Sequence, residues 1–419
     1  MTRFRDVLKN KNFLFLWLGQ LISNFGDRLN QMALVALVYQ RNPGSEIALA
    51  KLISFTIIPV FLIGPIAGAW VDRLNRRKIM VICDILRGVL VLTIPFFIKA
   101  DQILLVYLAI FLVFSISRFF IPSKMALIPE LVAKDKLLVA NALSDTTHMI
   151  GNVVGLVVAG VIVNIALVGA IGGFYIDSVT FFISAGLIAM IVQRGFAGHV
   201  KEDLVVTGRA LENSFRRTIF SEIKEGLKYL AKYRDMRFVV YVFFLLMAGV
   251  GAISCVIIVF IQSAFGTSTR DLGILGMFLV GGLFLGSILY GRFCQNMEKR
   301  RAIHLSFTAS GIAIILFALA VKHYPNLLLG GALVGLLGIS ISPIMVSTNT
   351  LTHETVPEEA RGRIFSSLDA VIHLAFLVFM FIAAYAAKYI DGVWIIAAVG
   401  LVYFICGAVR LVMPRRCPA

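Results

Sequence analysis

The sequence predicts an all-α integral membrane protein, with about twelve transmembrane helices in two pseudo-symmetric six-helix bundles. Three observations carry the prediction. Of 419 residues, 59% are hydrophobic and only 15% charged, and the mean hydropathy is +0.91; ordinary globular domains are about 25% charged. Apolar runs recur along the whole chain at the roughly 20 residues that cross a hydrocarbon core. They are continuous rather than alternating, unlike the strands of a membrane barrel. Finally, with both termini on one side, 30 of the 39 Lys and Arg fall on that side. Six fall on the other (Arg41, Lys51, Lys99, Arg270, Lys322 and Lys388), and Arg28, Arg87 and Arg118 lie inside spans. Such a bias places both termini in the cytoplasm of a cell with this protein in its plasma (bacterial inner) membrane. The net charge of +16 then reports orientation against an anionic lipid bilayer, and no nucleic-acid partner is expected.

The first six spans are predicted at 13–40, 46–70, 79–98, 103–123, 140–168 and 172–193. Run 13–40 exceeds a minimal span, so it tilts or ends at the interface. It has no small-residue cleavage site and is too long for a cleaved signal peptide. Within it, SNFGDRLNQMAL (23–34) interrupts the apolar pattern. At 100° per residue, Gln20, Asn24, Asp27 and Gln31 fall within about 60° of one another, flanked by Ser23, Arg28 and Asn30. Leu18, Leu21, Ile22, Phe25, Leu29 and Met32 form the other side. An ionised residue at the bilayer centre costs about 2.5–3.5 kcal/mol, so this stripe faces a cavity or a partner. A structural ion pair of Asp27 is the plainer alternative.

The second span leads into GAWVDRLNRRK (68–78). The third carries Asp84 and Arg87 at i,i+3, the spacing of a local ion pair. The fourth holds Arg118 in FSISRFFIP and is followed by PELV (129–132). In the fifth, Gly151 and Gly155 form a small-xxx-small face for close packing. Asp145 and His148 stand one turn apart near its start.

A polar segment, 194–236, separates an N-terminal bundle (1–193) from a C-terminal one (237–419). Phe215, Ile219, Ile223, Leu227 and Leu230 recur there at helical spacing among basic residues, an amphipathic helix for the inner membrane surface. The remaining spans are predicted at 237–263, 272–292, 301–321, 325–352, 363–387 and 391–413. In the eleventh, Asp369 and His373 form a second acid–histidine pair. First-turn acids favour the helix dipole, a structural role; gating, proton relay and metal binding are the functional alternatives.

A shift of 224 residues lays PELVAKDKLLVANALSD (129–145) on HETVPEEARGRIFSSLD (353–369), matching Glu130 with Glu354 and Asp145 with Asp369. With a one-residue shift, GPIAGAWVDRLNRRK (64–78) falls near GSILYGRFCQNMEKR (286–300). Two related halves with a site between them is a transporter design. The five cysteines (Cys83, Cys255, Cys294, Cys406, Cys417) show no CxxC spacing and read as free thiols. Neither HExxH nor GxSxG occurs, so neither an enzyme nor a cofactor is expected.

GAWVDRLNRRK, through Gly68, Asp72, Arg73, Arg76 and Arg77, resembles the loop 2–3 signature of the major facilitator superfamily and stands where that family has it. The resemblance covers the whole chain. It implies the major facilitator fold, a monomer, and secondary transport of a small molecule by alternating access. In that family the loop is a cytoplasmic latch: Asp72 would accept from N–H groups opening the eleventh span, and Arg73 and Arg76 would pair with acids. Asp145 and Asp369 are assigned to the same gate, and Gln295 replaces Asp72 in the second half.

The Phe25–Asp27 element, PELV and EGLKYL (225–230) resemble the macrolide and multidrug efflux branch of drug–proton antiporters. That resemblance implies a proton carried by Asp27 and held by Arg118 or Arg28, with Gln20, Asn24 and Gln31 in the cavity. It also implies export of hydrophobic or amphiphilic molecules. Leu156 departs from the pattern, standing where those antiporters usually have proline. Lysophospholipid exporters share the first two elements. Asp27, Cys255 and His373 distantly resemble the acid, cysteine and histidine of ferroportin-type exporters of divalent metal. A non-transporting membrane sensor is the reading from another class.

Overall fold

A continuous apolar run in hydrocarbon must satisfy its backbone internally, which a helix does. The computed structural model of the chain describes residues 4–64, 67, 71, 74–133, 136–164, 169–192, 234–266, 269–294, 297–355 and 361–412. Among them a short α1 (Phe4–Leu8) precedes six long helices: α2 (Lys11–Arg41), α3 (Glu46–Leu62), α4 (Arg76–Lys99), α5 (Ile103–Leu131), α6 (Leu137–Asn164) and α7 (Gly169–Ala189). Six more follow the central segment: α8 (Arg234–Phe265), α9 (Arg270–Phe293), α10 (Lys299–His323), α11 (Leu327–Thr355), α12 (Arg361–Ala386) and α13 (Gly392–Val412). Nine of the twelve long helices are long and apolar enough to cross a membrane, the others being α2, α3 and α6. Residues 194–233 with the amphipathic helix, the latch residues Gly68, Asp72 and Arg73, Gln295 and Cys417 lie outside the described residues. The other four cysteines are free.

The second and fourth spans depart furthest from their predicted bounds: α3 ends at Leu62, short of the expected residue 70. The fourth was expected to end near residue 123, but α5 continues through Pro122 and Pro129 to Leu131. Burial of Leu127, Ile128 and Leu131 in a core cluster holds the extension. Ser123 Oγ donates to the Phe119 carbonyl at 2.7 Å, an i→i−4 back-bond beside Pro122.

Backbone packing divides the chain into two compact units, Met1–Arg41 with Lys51–Phe215, and Asn42–Ala50 with Arg216–Ala419. In the first, α2 packs on α6 and α7, and α4 packs on α5 and α7. Side-chain amides fix the start of α2. Asn10 Oδ1 accepts from the Asn12 and Phe13 amides (3.0 and 3.3 Å), capping the helix, while its Nδ2 donates to the Leu131 carbonyl at 2.5 Å. Asn12 Nδ2 donates to the Val192 carbonyl at 2.9 Å, and the Val192 amide donates back to Asn12 Oδ1 at 3.0 Å. Trp17 Nε1 donates to Thr147 Oγ1 of α6 at 2.8 Å. The far end of α2 is held by Arg41, which pairs with Asp101 at 2.7 Å and donates to the Ile98 carbonyl at 2.8 Å.

In the second unit α8 packs on α12 and α13, and α10 on α11 and α13, repeating the first unit's four pairings; α9 also packs on α11. Val242, Leu246, Phe307, Phe317 and Tyr403 are among its core residues. Between α13 and α10, Lys322 Nζ donates to Asp391 Oδ2 at 2.9 Å, and this ammonium holds the exposed Asp391 carboxyl below its ordinary range. Glycines set the helix spacing. A Cβ on Gly282 would meet the Gly335 backbone, and one on Gly311 would meet Phe404 N and Gly400 O, whereas Gly281 has open space. Gly311→Ala is therefore expected to destabilise the protein by about 1–3 kcal/mol through overpacking. Gly281→Ala should be neutral, or stabilising by up to about 1 kcal/mol through helix propensity. Thermal unfolding of the detergent-solubilised protein checks both.

Candidate functional site

The apolar face of α4 is broken by Asp84 and Arg87, both buried, at 0% and 4% exposure. They form the predicted i,i+3 ion pair, and Ser184 Oγ of α7 donates to the free carboxylate oxygen, Asp84 Oδ2, at 2.7 Å. The Arg87 guanidinium lies between two aromatic faces, 4.5 Å from the Phe120 centroid and 4.4 Å from that of Phe181. Its Nη1 also donates to Ser117 Oγ at 3.4 Å. Desolvated cation–π contacts contribute about 2 kcal/mol, so carboxylate, hydroxyl and rings together enclose this cation.

A second polar group lies alongside, between α2 and α7. Asn30 Nδ2 donates to Asp177 Oδ2 at 2.8 Å, and Thr180 Oγ1 donates to the Asp177 carbonyl at 2.7 Å. Gly26 permits this approach, because a Cβ there would overlap Thr180 Oγ1 and Asp177 Oδ1. Asp27 joins the two groups, lying within electrostatic reach of Arg87, Arg28 and Asp177. The Asp177 position shows a weaker form of the signal at Asp27, a single acid inside an apolar span with Thr180 and Ser184 following at helical spacing.

The predicted stripe on α2 is divided by its packing. Gln20, Ser23 and Asn30 are buried, Asn24, Asp27 and Arg28 are half-buried, and Gln31 is exposed. Asp27 thus sits at the border of the side packed on α7 and the more open side. Arg28 Nη1 donates to Gln31 Oε1 at 2.6 Å, and Ser144 Oγ donates to Gln20 Oε1 at 3.4 Å. Gly155, read as a packing glycine, makes room for the Arg28 stem, which a Cβ would meet at 2.9 Å. Arg87, read from sequence as a local partner of Asp84, lies together with Arg28 within electrostatic reach of Asp27.

Of the latch residues, Arg76 pairs with Glu130 on α5 and donates to the Ala126 carbonyl at 3.1 Å. Arg77 donates to the Ile188 carbonyl at 3.3 Å and to that of Ala189, closing the end of α7. The second unit has the matching pair, with Lys299 Nζ 2.5 Å from Glu354. His373 Nδ1 lies 3.3 Å from Asp369 Oδ1 and 2.9 Å from that residue's carbonyl; the Asp145 side chain lies outside the described residues. Cys255 is fully buried on α8. Among the described residues no group of three His, Cys, Asp or Glu is arranged to hold a metal ion.

The repeat extends inward, but its chemistry does not. A shift of 223 carries Gly26 and Thr180 onto Gly249 and Tyr403. There, too, the glycine accepts the partner side chain, and Tyr403 Oη donates to the Leu246 carbonyl at 2.7 Å. The same shift carries Asp27, Asp84, Arg87 and Asp177 onto Val250, Phe307, Ser310 and Gly400. Phe307 packs edge-on against Tyr403 with centroids 5.2 Å apart. Buried charge at these positions belongs to the first unit. Removing Arg87 alone should strand Asp84, so Arg87→Leu is expected to destabilise by about 3–5 kcal/mol, and Asp84→Leu added to it should recover most of that loss. The labelling rate of the buried Cys83 thiol during thermal unfolding reads both.

Residues 6–410 match the family described as transmembrane secretion effector. Macrolide efflux protein A of Streptococcus pyogenes is 23% identical over 89% of this chain and 88% of its own length. The multidrug efflux pump Tap of Mycolicibacterium fortuitum is 23% identical, with 97% of each chain covered. A crystal structure of a bacterial homologue of the iron transporter ferroportin, inward-facing, superposes with a TM-score of 0.73 at 15% identity, covering 96% of this chain and 99% of that one; this likeness is one of fold. With the twelve long helices, their repeated pairings and these matches, the chain belongs to the transmembrane secretion effector family of major facilitator transporters.

Proposed function

We propose that this transporter is a proton-coupled exporter of hydrophobic or amphiphilic small molecules, working by alternating access, with Asp27 gaining and losing the proton. The observation that carries the reading is the setting of Asp27. It is half-buried on a membrane helix, at the border between a packed and an open side, and within reach of Arg87 and Arg28. Opposite charge favours the carboxylate and desolvation opposes it, so a small rearrangement moves it between states. In this reading Arg87 joins Arg118 and Arg28 as a cation that favours the carboxylate. Efflux-named relatives support the direction and the substrate class.

The gate comprises Gly68, Asp72, Arg73, Arg76, Arg77, Asp145 and Asp369. The Arg76–Glu130 and Lys299–Glu354 pairs are the contacts that change as the protein switches between its inward- and outward-open states. Both termini are cytoplasmic, by the distribution of Lys and Arg, and the protein acts as a monomer in the bacterial inner membrane.

The test is transport into everted vesicles with a macrolide, a lipophilic cation, a fluorescent lysolipid and Co²⁺. A pH gradient should drive uptake of one of the first two. Asp27→Asn should lose about 5- to 150-fold of the gradient-driven rate, the range of typical coupling free energies, while downhill exchange continues. Unchanged coupling in Asp27→Asn would end the proton assignment, and gradient-independent uptake of the lysolipid or the metal alone would replace the substrate class.

A further inference from the structure

The reading of the first unit as the proton-handling half can be taken further, to a second residue. Asp177 stands in the middle of α7 with no exposed surface. Its Oδ2 accepts from Asn30 Nδ2 at 2.8 Å, and its Oδ1 lies 3.4 Å from Thr180 Oγ1. Gly26 closes the remaining side. The charged groups in the central turns of the helices packed on α7 are Asp27 and Arg28 of α2 and Asp84 and Arg87 of α4. On α6, the third such helix, Asp145 and His148 lie in the first half. Arg87 is committed to Asp84 between two rings, and Arg28 reaches Gln31. No ion pair among the described residues includes Asp177.

The hydrogens around Asp177 point the same way. Thr180 Oγ1 donates to the Asp177 backbone carbonyl at 2.7 Å, and its 3.4 Å approach to Oδ1 is too long to satisfy that oxygen as well. Asn30, itself 6% exposed, leaves Oδ1 buried beside this carboxyl with no donor. Turning the amide over, which interchanges two atoms of nearly equal shape, would let that oxygen accept from a protonated Asp177. The site is one hydrogen short of satisfying its acceptors.

We propose that Asp177, fully buried between α2 and α7 and in no ion pair among the described residues, is a neutral acid that stores a proton for Asp27. Two carboxylates within electrostatic reach of each other in a low dielectric do not both ionise, so the pair holds one proton, on Asp177 or on Asp27. Moving it breaks one carboxyl O–H bond and forms the other, with no change in net charge.

Infrared difference spectra of the full-length protein in lipid, between about pH 5 and about pH 8, test this through the protonated-carboxyl stretch. A band that survives at the alkaline end is expected, and Asp177→Asn should abolish it. In Asp27→Asn the band should remain but titrate lower by about one pH unit or more, because a neutral neighbour no longer opposes ionisation. A spectrum unchanged by Asp177→Asn, or a band that appears only when Na⁺ is withdrawn, overturns the proposal. Should Asp177→Asn fail to fold, Asn30→Ala must shift the frequency of the band, and an unshifted band also overturns it. These readouts need no substrate, so they stand or fall separately from gradient-driven export by Asp27.

Discussion

Hydrocarbon offers neither hydrogen bonds nor counter-charge, and each polar group inside the first unit has to be answered by a neighbouring helix. Arg87 shows what that requires: one carboxylate, one hydroxyl and two phenyl faces, drawn from α4, α5 and α7. The same demand fixes helix positions. Ser184 must come close enough to reach Asp84, and Asn30 close enough to reach Asp177. Gly26 and Gly19 on α2 make that approach possible, since side chains there would press on Thr180, Asp177 and Ser184. The polar network and the close packing of α2, α4 and α7 are therefore a single arrangement.

Much of the architecture was legible in the sequence, because twelve separated apolar runs and a one-sided distribution of basic residues leave few alternatives. The end of α5 was not legible. The apolar run reads as ending near residue 123, while the burial of Leu127 and Ile128 that carries the helix onward is a tertiary fact. In the interior, Asp27 was found because it sits within a run of five polar residues. Asp177 was missed because a lone acid in a long apolar span makes a weaker pattern, and its relation to Asn30 crosses 147 positions. Arg87 was found but assigned too narrowly, since i,i+3 spacing shows the partner on its own helix and hides the group facing it across the bundle.

The two units keep a common frame under different chemistry. The Arg76–Glu130 and Lys299–Glu354 pairs, and the Gly26–Thr180 and Gly249–Tyr403 contacts, recur at nearly constant offset. What differs is the filling: a charged network in one unit, and Val250, Phe307, Ser310 and Gly400 in the other. Helix pairing is thus set by small residues and end contacts common to both units, leaving the interior positions open to divergence.

Gly26 has a consequence for how such a protein can change over generations. Its missing side chain is occupied by Asp177 and Thr180, so any larger residue at 26 requires a smaller or displaced group at 177 or 180 at the same time. Asp84, Arg87 and Ser184 are bound to one another in the same way by charge. These positions form two locked sets in which single replacements are penalised and compensated pairs are not. Divergence in the first unit must proceed by coordinated steps, and the glycine contact of Gly249 with Tyr403 imposes the same condition on the second.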